Sequence, residues 1–341
     1  MAKRKITQLD LFSGIGGFHL GFERAGYEVK SYFSEIDKHA VAVYKQQFKD
    51  AEYVGSVTDV RGAELPRIDL ITFGSPCQDF SLAGKRKGMQ GERSSLVLEA
   101  IRLINECRPS VFIWENVKGT FSSNAGEDFW AIIQAFTNIG GYRLEWQLLN
   151  TSWILPQNRE RVYFVGYSTT PGGDWRGVFP IGEGDGKYTK FKGHNLRANT
   201  ICARYFASTR NGSYISERKQ PTQEIIVKSA TSKGYEVATE GDSINLSQPN
   251  SETRRGRVGK GKAQTLETSC NQAAVQDYRI RRLTPIECER LQGFPDNHTE
   301  YGIYDGEVKK MSNTQRYKQC GNAVTVDIVA LVAEAVKPLF K

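Results

Sequence analysis

Across the first 167 residues, short apolar runs alternate with stretches that are apolar at every third or fourth position. A short apolar run bounded by turn residues reads as a buried strand, and the longer spacing reads as one face of a helix. Strands are therefore expected at Ile6–Phe12, Val29–Ser34, Ile68–Phe73 and Val111–Trp114. Helices are expected at Phe18–Ala25, His39–Phe48, Ser95–Cys107 and Asp128–Thr137, with two more strands at Leu144–Leu149 and Arg161–Gly166. Such alternation predicts an α/β fold with a mostly parallel sheet and helices on both faces.

From about Thr169 to Val275 the pattern gives way to Gly, Ser, Thr, Asn and basic residues. That texture reads as a second, smaller, loop-rich domain with short strands. Helical signals return at Thr284-Pro285-Ile286-Glu287, a capping box with proline at the first helical position and a stop at Gly293. The apolar spacing of Val324–Leu339 predicts a helix that returns to the first domain. The domain expectation is thus residues 1–168 with 318–341, a domain at 169–280, and a supporting segment at 281–317.

Composition narrows the class. The chain has 341 residues, 39% hydrophobic and 25% charged, and no apolar run long enough to span a membrane. The basic start Met1-Ala2-Lys3-Arg4-Lys5 lacks the features of a signal peptide, so a cytoplasmic monomer is expected. Six scattered cysteines without a C-x-x-C pair argue against zinc or a disulfide framework. The formal charge is +8, and residues 168–280 hold 17 Lys and Arg against 11 Asp and Glu, a net of +6. A basic region of this kind is the footprint of a polyanion partner.

The chemistry gathers where strands end. Gly74-Ser75-Pro76-Cys77 follows one apolar run, and Glu115-Asn116-Val117 follows another, 38 residues beyond Cys77. Carboxyl ends of adjacent parallel strands are where ligands collect. A thiolate there can attack an electrophilic ring carbon while a protonated acid supports the neighbouring ring nitrogen. That makes C5 of cytosine nucleophilic by addition at C6. The segment after Cys77 carries Ser81, three glycines and the cations Lys85, Arg86 and Lys87, which suits closure over a phosphate backbone. Arg159 and Arg161 alternate, so as strand residues they would face one site. Arg161 is assigned to the base carbonyl and Arg159 to Glu115 or a phosphate. Asp10-Leu11-Phe12-Ser13-Gly14-Ile15-Gly16-Gly17 puts glycines at a strand-to-helix turn, and Glu35 stands 18 residues after Gly17. That arrangement suits a cofactor's close approach and its ribose hydroxyls.

These residues resemble the motifs of the DNA (cytosine-5) methyltransferase family, bacterial and phage type, over residues 6–167 and 281–326. The resemblance implies a Rossmann-like S-adenosylmethionine-dependent methyltransferase fold with a DNA cleft. It implies methyl transfer from S-adenosyl-L-methionine to C5 of a flipped-out cytosine in duplex DNA, with Cys77 as nucleophile and Glu115 at N3. Phe12, Ser13, Gly14, Gly16, Gly17, Glu35 and Ile36 would then bind the cofactor. Ser56, Val57, Pro76, Leu96 near the adenine, and Asn322 in Gln319-Cys320-Gly321-Asn322-Ala323-Val324 would complete that site. The segment Arg282–Pro295 would support the recognition domain. Thr265-Leu266 resembles the pair found in recognition regions, with Thr200-Ile201 a second candidate. The preceding Arg254, Arg255 and Arg257 are expected in a DNA groove, on phosphates or on guanine. Restriction–modification relatives imply a paired endonuclease.

The sequence departs from the family twice: Ser56 stands where an acid is usual, and Ala83 where a space-filling serine is often used. Three other readings fit less of the sequence. A tRNA-methylating relative would not need the large basic region. A silent DNA-binding relative would have lost Cys77 or Glu115. A nicotinamide-dependent oxidoreductase would explain the glycine turn alone.

Overall fold

The chain opens with β1 (Arg4–Leu11), α1 (Gly17–Arg24), β2 (Tyr27–Ser34), α2 (Lys38–Gln47) and β3 (Glu52–Tyr53). It continues through β4 (Leu70–Phe73), α3 (Ser95–Cys107), β5 (Val111–Val117), α4 (Glu127–Asn138), β6 (Tyr142–Asn150), β7 (Gln157–Asn158) and β8 (Glu160–Ser168). The structure is a computed structural model, and it describes residues 3–74, 95–121, 127–168, 177–182, 224–253, 255–277 and 279–340.

Seven strands form the central sheet, in the order β3-β2-β1-β4-β5-β8-β6. The first five run parallel. β8 runs antiparallel to both β5 and β6. The cause is local: the link 151–159 between β6 and β8 is too short for the crossover that a parallel pair needs. The sheet is otherwise the expected one, and strand alternation divides its side chains between two cores. Val111 and Ile113 join Phe18, Phe22, Ile328 and Val329 on the face of α1 and the late helix Val326–Ala335. Phe112 and Trp114 join Leu103, Ile104, Ile132 and Phe136 on the face of α3 and α4.

Beyond the sheet come β9 (Ile225–Lys228), β10 (Tyr235–Ala238), β11 (Ser243–Asn245), β12 (Val258–Gly259), β13 (Ala263–Gln264), β14 (Gln272–Gln276) and β15 (Arg279–Arg282). They form small antiparallel sheets, β10-β9 and β12-β11-β14-β15, around a separate core of Val227, Ala238, Ile244 and Val275. β13 pairs instead with β7, in parallel, so the loop-rich region is stitched to the strand that precedes Arg159. Cys270 and Cys288 Sγ lie 3.4 Å apart as buried free thiols, joining this region to the next helix.

That helix is α5 (Pro285–Leu291), and it starts at the expected capping box. Thr284 accepts from Glu287 N while the Glu287 carboxylate receives Thr284 N. The hairpin β16 (Tyr301–Tyr304) and β17 (Glu307–Lys310), then α6 (Asn313–Asn322) and α7 (Val326–Ala335), complete the described chain. The hairpin and α6 escaped the periodicity reading, and the helix expected over 324–339 is shorter, with a 3-10 turn at Lys337–Leu339. Phe294 and Met311 pack with Ile15, Ala40 and Val43, so the segment after α5 also supports the glycine turn.

Candidate active site

Between β1 and α1 the backbone turns through left-handed conformations at Phe12 (φ 51°), Gly14 (φ 55°) and Gly16 (φ 84°). At Gly16 a Cβ would press on the Phe48 ring. At Gly14 it would project into open space, so that backbone stands bare to a ligand. Ser13 N donates to Ser34 O at 3.1 Å and thereby ties the turn to the end of β2. Glu35, just past β2, accepts from Gly14 N (2.9 Å), Ile36 N (2.8 Å) and Asp37 N (2.9 Å). Three of a carboxylate's roughly four acceptor positions are thereby used. Ile36 is 81% exposed beside it, an apolar side chain held in the open at the mouth of the turn. Ser13 Oγ is buried without a hydrogen-bond partner.

Ser56 is half-buried and its hydroxyl meets Thr58 Oγ1 at 2.9 Å, while Val57 is buried among the sheet residues. Leu96 packs partly buried on the same core, and Asn322 is exposed at the end of α6. The turn, Glu35, the 55–57 loop and Leu96 therefore ring the carboxyl end of β1, β2 and β4. The Ile15 carbonyl of the turn is met by His298 Nε2 at 2.9 Å, a residue that no motif had singled out.

Glu115 sits near the end of β5, one residue beyond the Phe73–Trp114 pairing with β4, and is 8% exposed. A Cβ on Gly74 would stand 3.5 Å from Glu115 Oε2, so the chain leaves β4 toward Cys77 alongside this carboxylate. Arg161 Nε lies 3.2 Å from Glu115 Oε1 as an ion pair, yet Oε1 accepts no aligned hydrogen bond. An oxygen buried without such a bond retains acceptor capacity for a ligand. Tyr163 lies opposite Glu115 across the β5–β8 ladder. Burial, and secondly the Glu115 charge, hold its phenol well above the usual range.

The two arginines separate. The guanidinium at Glu115 is that of Arg161, whereas Arg159, 3% exposed, donates to Ala323 O (2.8 Å) and Gly321 O (3.4 Å). Those carbonyls flank Asn322, so Arg159 fixes the turn that presents it. The separation arises because Arg159 occupies the break between β7 and β8, where strand alternation does not apply.

In the loop-rich region, Thr265 Oγ1 donates to Asn158 O at 2.8 Å, and Leu266 N donates to Gln157 Oε1 at 3.0 Å. The Thr-Leu pair is thus seated on β7. Beside it opens a groove of about 510 Å³ lined by Asn158, Asn245, Lys260, Lys262, Gln264 and Thr265, among others. Arg255 is exposed and donates through Nε to Ala230 O at 3.1 Å. Arg257 corrects the sequence reading. It is 6% exposed, and its guanidinium donates to Asn245 O (3.1 and 3.2 Å) and to Lys228 O. Loop carbonyls need donors when buried, and a guanidinium supplies several at once. Pro76, Cys77, Ser81, Lys85, Arg86, Lys87, Arg254 and Thr200-Ile201 lie outside the described residues.

Among the described residues, no group of three His, Cys, Asp or Glu is placed to hold a metal ion. No helix there is long and apolar enough to cross a membrane.

A mostly parallel sheet with a glycine turn, an acid after the second strand and a carboxylate–guanidinium pair beside the fourth places the protein among the α/β enzymes that gather ligands at the carboxyl ends of their strands. The model of the C-5 cytosine-specific DNA methylase family matches residues 6–338, and the chain belongs to that family. It is a DNA cytosine-5 methyltransferase. It is 32% identical to the type II methyltransferase M1.ScrFI of Lactococcus lactis subsp. cremoris, across 97% of this chain and 77% of that protein. To M.HpaII of Haemophilus parainfluenzae it is 30% identical, over 96% of this chain and 88% of the relative. Among solved structures it resembles a putative DNA modification methyltransferase encoded within an E. coli prophage (TM-score 0.62, 20% identity, 98% and 99% of the two chains). S. pombe Dnmt2 methyltransferase is similar at TM-score 0.61 and 18% identity, again over 98% and 99%. These two likenesses concern the fold.

Proposed function

We propose that the enzyme methylates C5 of a cytosine flipped out of duplex DNA, through a covalent bond between Cys77 and C6, at a sequence chosen by the 169–280 region. The observation that carries this reading is the buried Glu115–Arg161 pair beside Gly74, where the chain departs toward Cys77. Flipping is required because the thiolate must reach the face of the ring, which neighbouring bases cover in the stack.

The Cys77 thiolate adds to C6, and the ring electrons move toward C5 and N3. Glu115 would give a proton to N3 as charge builds there, while Arg161, held against the same carboxylate, would serve the carbonyl oxygen. When bound, S-adenosyl-L-methionine would supply an electrophilic methyl group to the activated C5, its S–CH3 bond breaking as the C5–CH3 bond forms and S-adenosylhomocysteine leaving. A base then removes the C5 proton, the electron pair reforms the C5–C6 double bond, and the Cys77 thiolate leaves. The residues present fit that cofactor. Gly14 offers bare backbone, Ile36 an exposed apolar side chain, Ser13 Oγ an unused polar atom and Glu35 a remaining acceptor position. Phe12, Gly16, Gly17, Ser56, Val57, Leu96 and Asn322 would complete the cradle, Pro76 stiffening the approach.

The groove beside Thr265 supports DNA readout, with Lys262 and Arg255 on phosphates. The named relatives are type II methyltransferases, which supports pairing with a restriction endonuclease.

Duplexes containing 5-fluorocytosine test the chemistry, since fluorine cannot leave C5 as a proton does. The parent should form a stable adduct in the presence of cofactor, and Cys77→Ala should form none while still binding cofactor. Methylation surviving Cys77→Ala overturns the assignment. Bisulfite sequencing of treated DNA gives the target.

A further inference from the structure

The glycine turn needs an external brace. It holds three residues, Phe12, Gly14 and Gly16, in left-handed conformations, and its Ile15 carbonyl meets a side chain from far along the chain. We propose that His298 is a positioning residue for the cofactor: its Nε2–H donates to Ile15 O and fixes the Gly14–Gly16 backbone in the shape that receives S-adenosyl-L-methionine. This rests on the cofactor reading above and adds a residue to it.

The geometry leaves one role for that nitrogen. A carbonyl only accepts, so at 2.9 Å the Nε2 must carry the proton. The ring is 4% exposed, tilted on Phe294 at 4.5 Å and edge-on to Phe48 at 6.3 Å. Burial pushes the imidazole down to about 4, so a neutral ring with a single N–H persists through the working range. Without that donor the Ile15 carbonyl would be left short of a partner beside the ligand.

The histidine is itself held from both sides. Gln47 Nε2 donates to His298 O at 2.7 Å, which ties it to α2. Glu289 of α5 accepts from Asn297 N (2.8 Å) and Thr299 N (2.9 Å), the residues flanking the histidine. Glu289 is wholly buried and paired with Arg316 of α6 at 2.9 Å. A buried ion pair with its remaining acceptors satisfied is rigid, because breaking it leaves a charge stranded. The segment through α5 therefore reaches the cofactor turn through this polar contact as well as through the packing of Phe294 and Met311 on Ile15.

Isothermal titration with S-adenosylhomocysteine and S-adenosylmethionine tests this on the full chain, with melting temperatures measured alongside. His298→Phe keeps the ring volume and removes the donor, whereas His298→Gln keeps an N–H. The Phe variant should bind roughly five- to fiftyfold more weakly, the loss set by a buried carbonyl without a partner. The Gln variant should recover most of the affinity, and kcat at saturating cofactor should change less than KM for the cofactor. Should the Phe variant not fold, His298→Met against His298→Gln makes the same comparison. Affinity within twofold of the parent in the donor-less variant, with only the melting temperature lowered, reduces His298 to core filling and overturns the proposal. Failure of the parent to bind either ligand would instead overturn the cofactor reading.

Discussion

At Gly21, in the middle of α1, the helix axis comes as close to α7 as backbone allows. An added Cβ would stand 2.6 Å from Val329 Cβ, nearer still to its Cγ1, and 3.1 Å from Val326 O. Gly21→Ala should therefore behave opposite to its helix propensity. In an exposed helix the change stabilises by about 1 kcal/mol. Here the nearest carbons would sit about 1 Å inside the ~3.5–4.0 Å optimum. Val329 is fully buried and β-branched, so it has one good helical rotamer and cannot swing aside. Overpacking of this kind costs about 1–3 kcal/mol, and the double clash places it at the upper end. Subtracting the propensity gain leaves a net destabilisation of about 2 kcal/mol. Val329→Ala alone leaves a cavity and also destabilises, by about 2 kcal/mol. Together they should cost less than the sum by about 1 kcal/mol, since the new methyl enters the vacated space. Relief is partial because Val329 Cβ remains. Urea midpoints for the four proteins of the cycle measure this. A Gly21→Ala protein more stable than the parent, or strict additivity, would refute the close-packing argument.

Glu115→Gln should bind target DNA nearly as well as the parent yet methylate ~10²–10⁴-fold more slowly in single turnover. A loss under about threefold would remove Glu115 from the chemistry. Arg257→Ala should destabilise the recognition region by about 1–3 kcal/mol by stranding buried carbonyls, with an unchanged salt slope of DNA binding. Arg255→Ala should leave stability alone and lower that slope by about one, and the reverse pattern would exchange their roles. Burial pushes the Asp10 carboxyl up to about 8, against the hydrogen bonds from Thr72 and Tyr44. The folded protein keeps a proton that the unfolded chain releases near pH ~4, so stability is full below that and falls as pH rises toward 8. Asp10→Asn carries no titrating charge, and its melting temperature relative to the parent should climb between pH 5 and pH 8. Parallel curves would mean that Asp10 is ionised in the folded state.

Period and punctuation carried the sheet and its helices. Ser95–Cys107 is apolar at clean helical spacing, and the structure begins and ends that helix at the same residues. The capping box at Thr284 was readable because both of its partners are local. Strand direction was not readable: Arg161–Gly166 looks the same in either orientation, and only the short link from β6 forces reversal. α6 is built of Asn, Thr, Gln, Arg, Tyr, Lys, Cys and Gly, without an apolar stripe, and Ser312 is its capping cue. Charge was ambiguous for a related reason. Arg255 and Arg257 are two residues apart, yet one faces solvent and the other fills a loop interior, which depends on distant carbonyls at Lys228 and Asn245. His298 offered no local pattern, because its partner lies 283 residues away.

The packing of α1 on α7 also sets an order of events during synthesis. Phe18, Phe22 and Tyr27 are covered by Ile328, Val329 and Val332, and Tyr27 OH donates to Ala333 O at 2.9 Å. Arg24 pairs with Asp327 across the same seam. Yet α7 is translated roughly 160 residues after β8 completes the sheet, a wait of about 8–32 s at ~5–20 residues per second. During that interval the nascent sheet shows a bare apolar flank, a ready substrate for chaperones and a liability for aggregation. α1 starts from the cofactor turn, so the turn too lacks its backing until α7 arrives. A ribosome-bound chain paused before residue 326 should therefore bind no S-adenosylhomocysteine, and a cell making this enzyme would meet modification activity only once α7 has emerged and packed on α1.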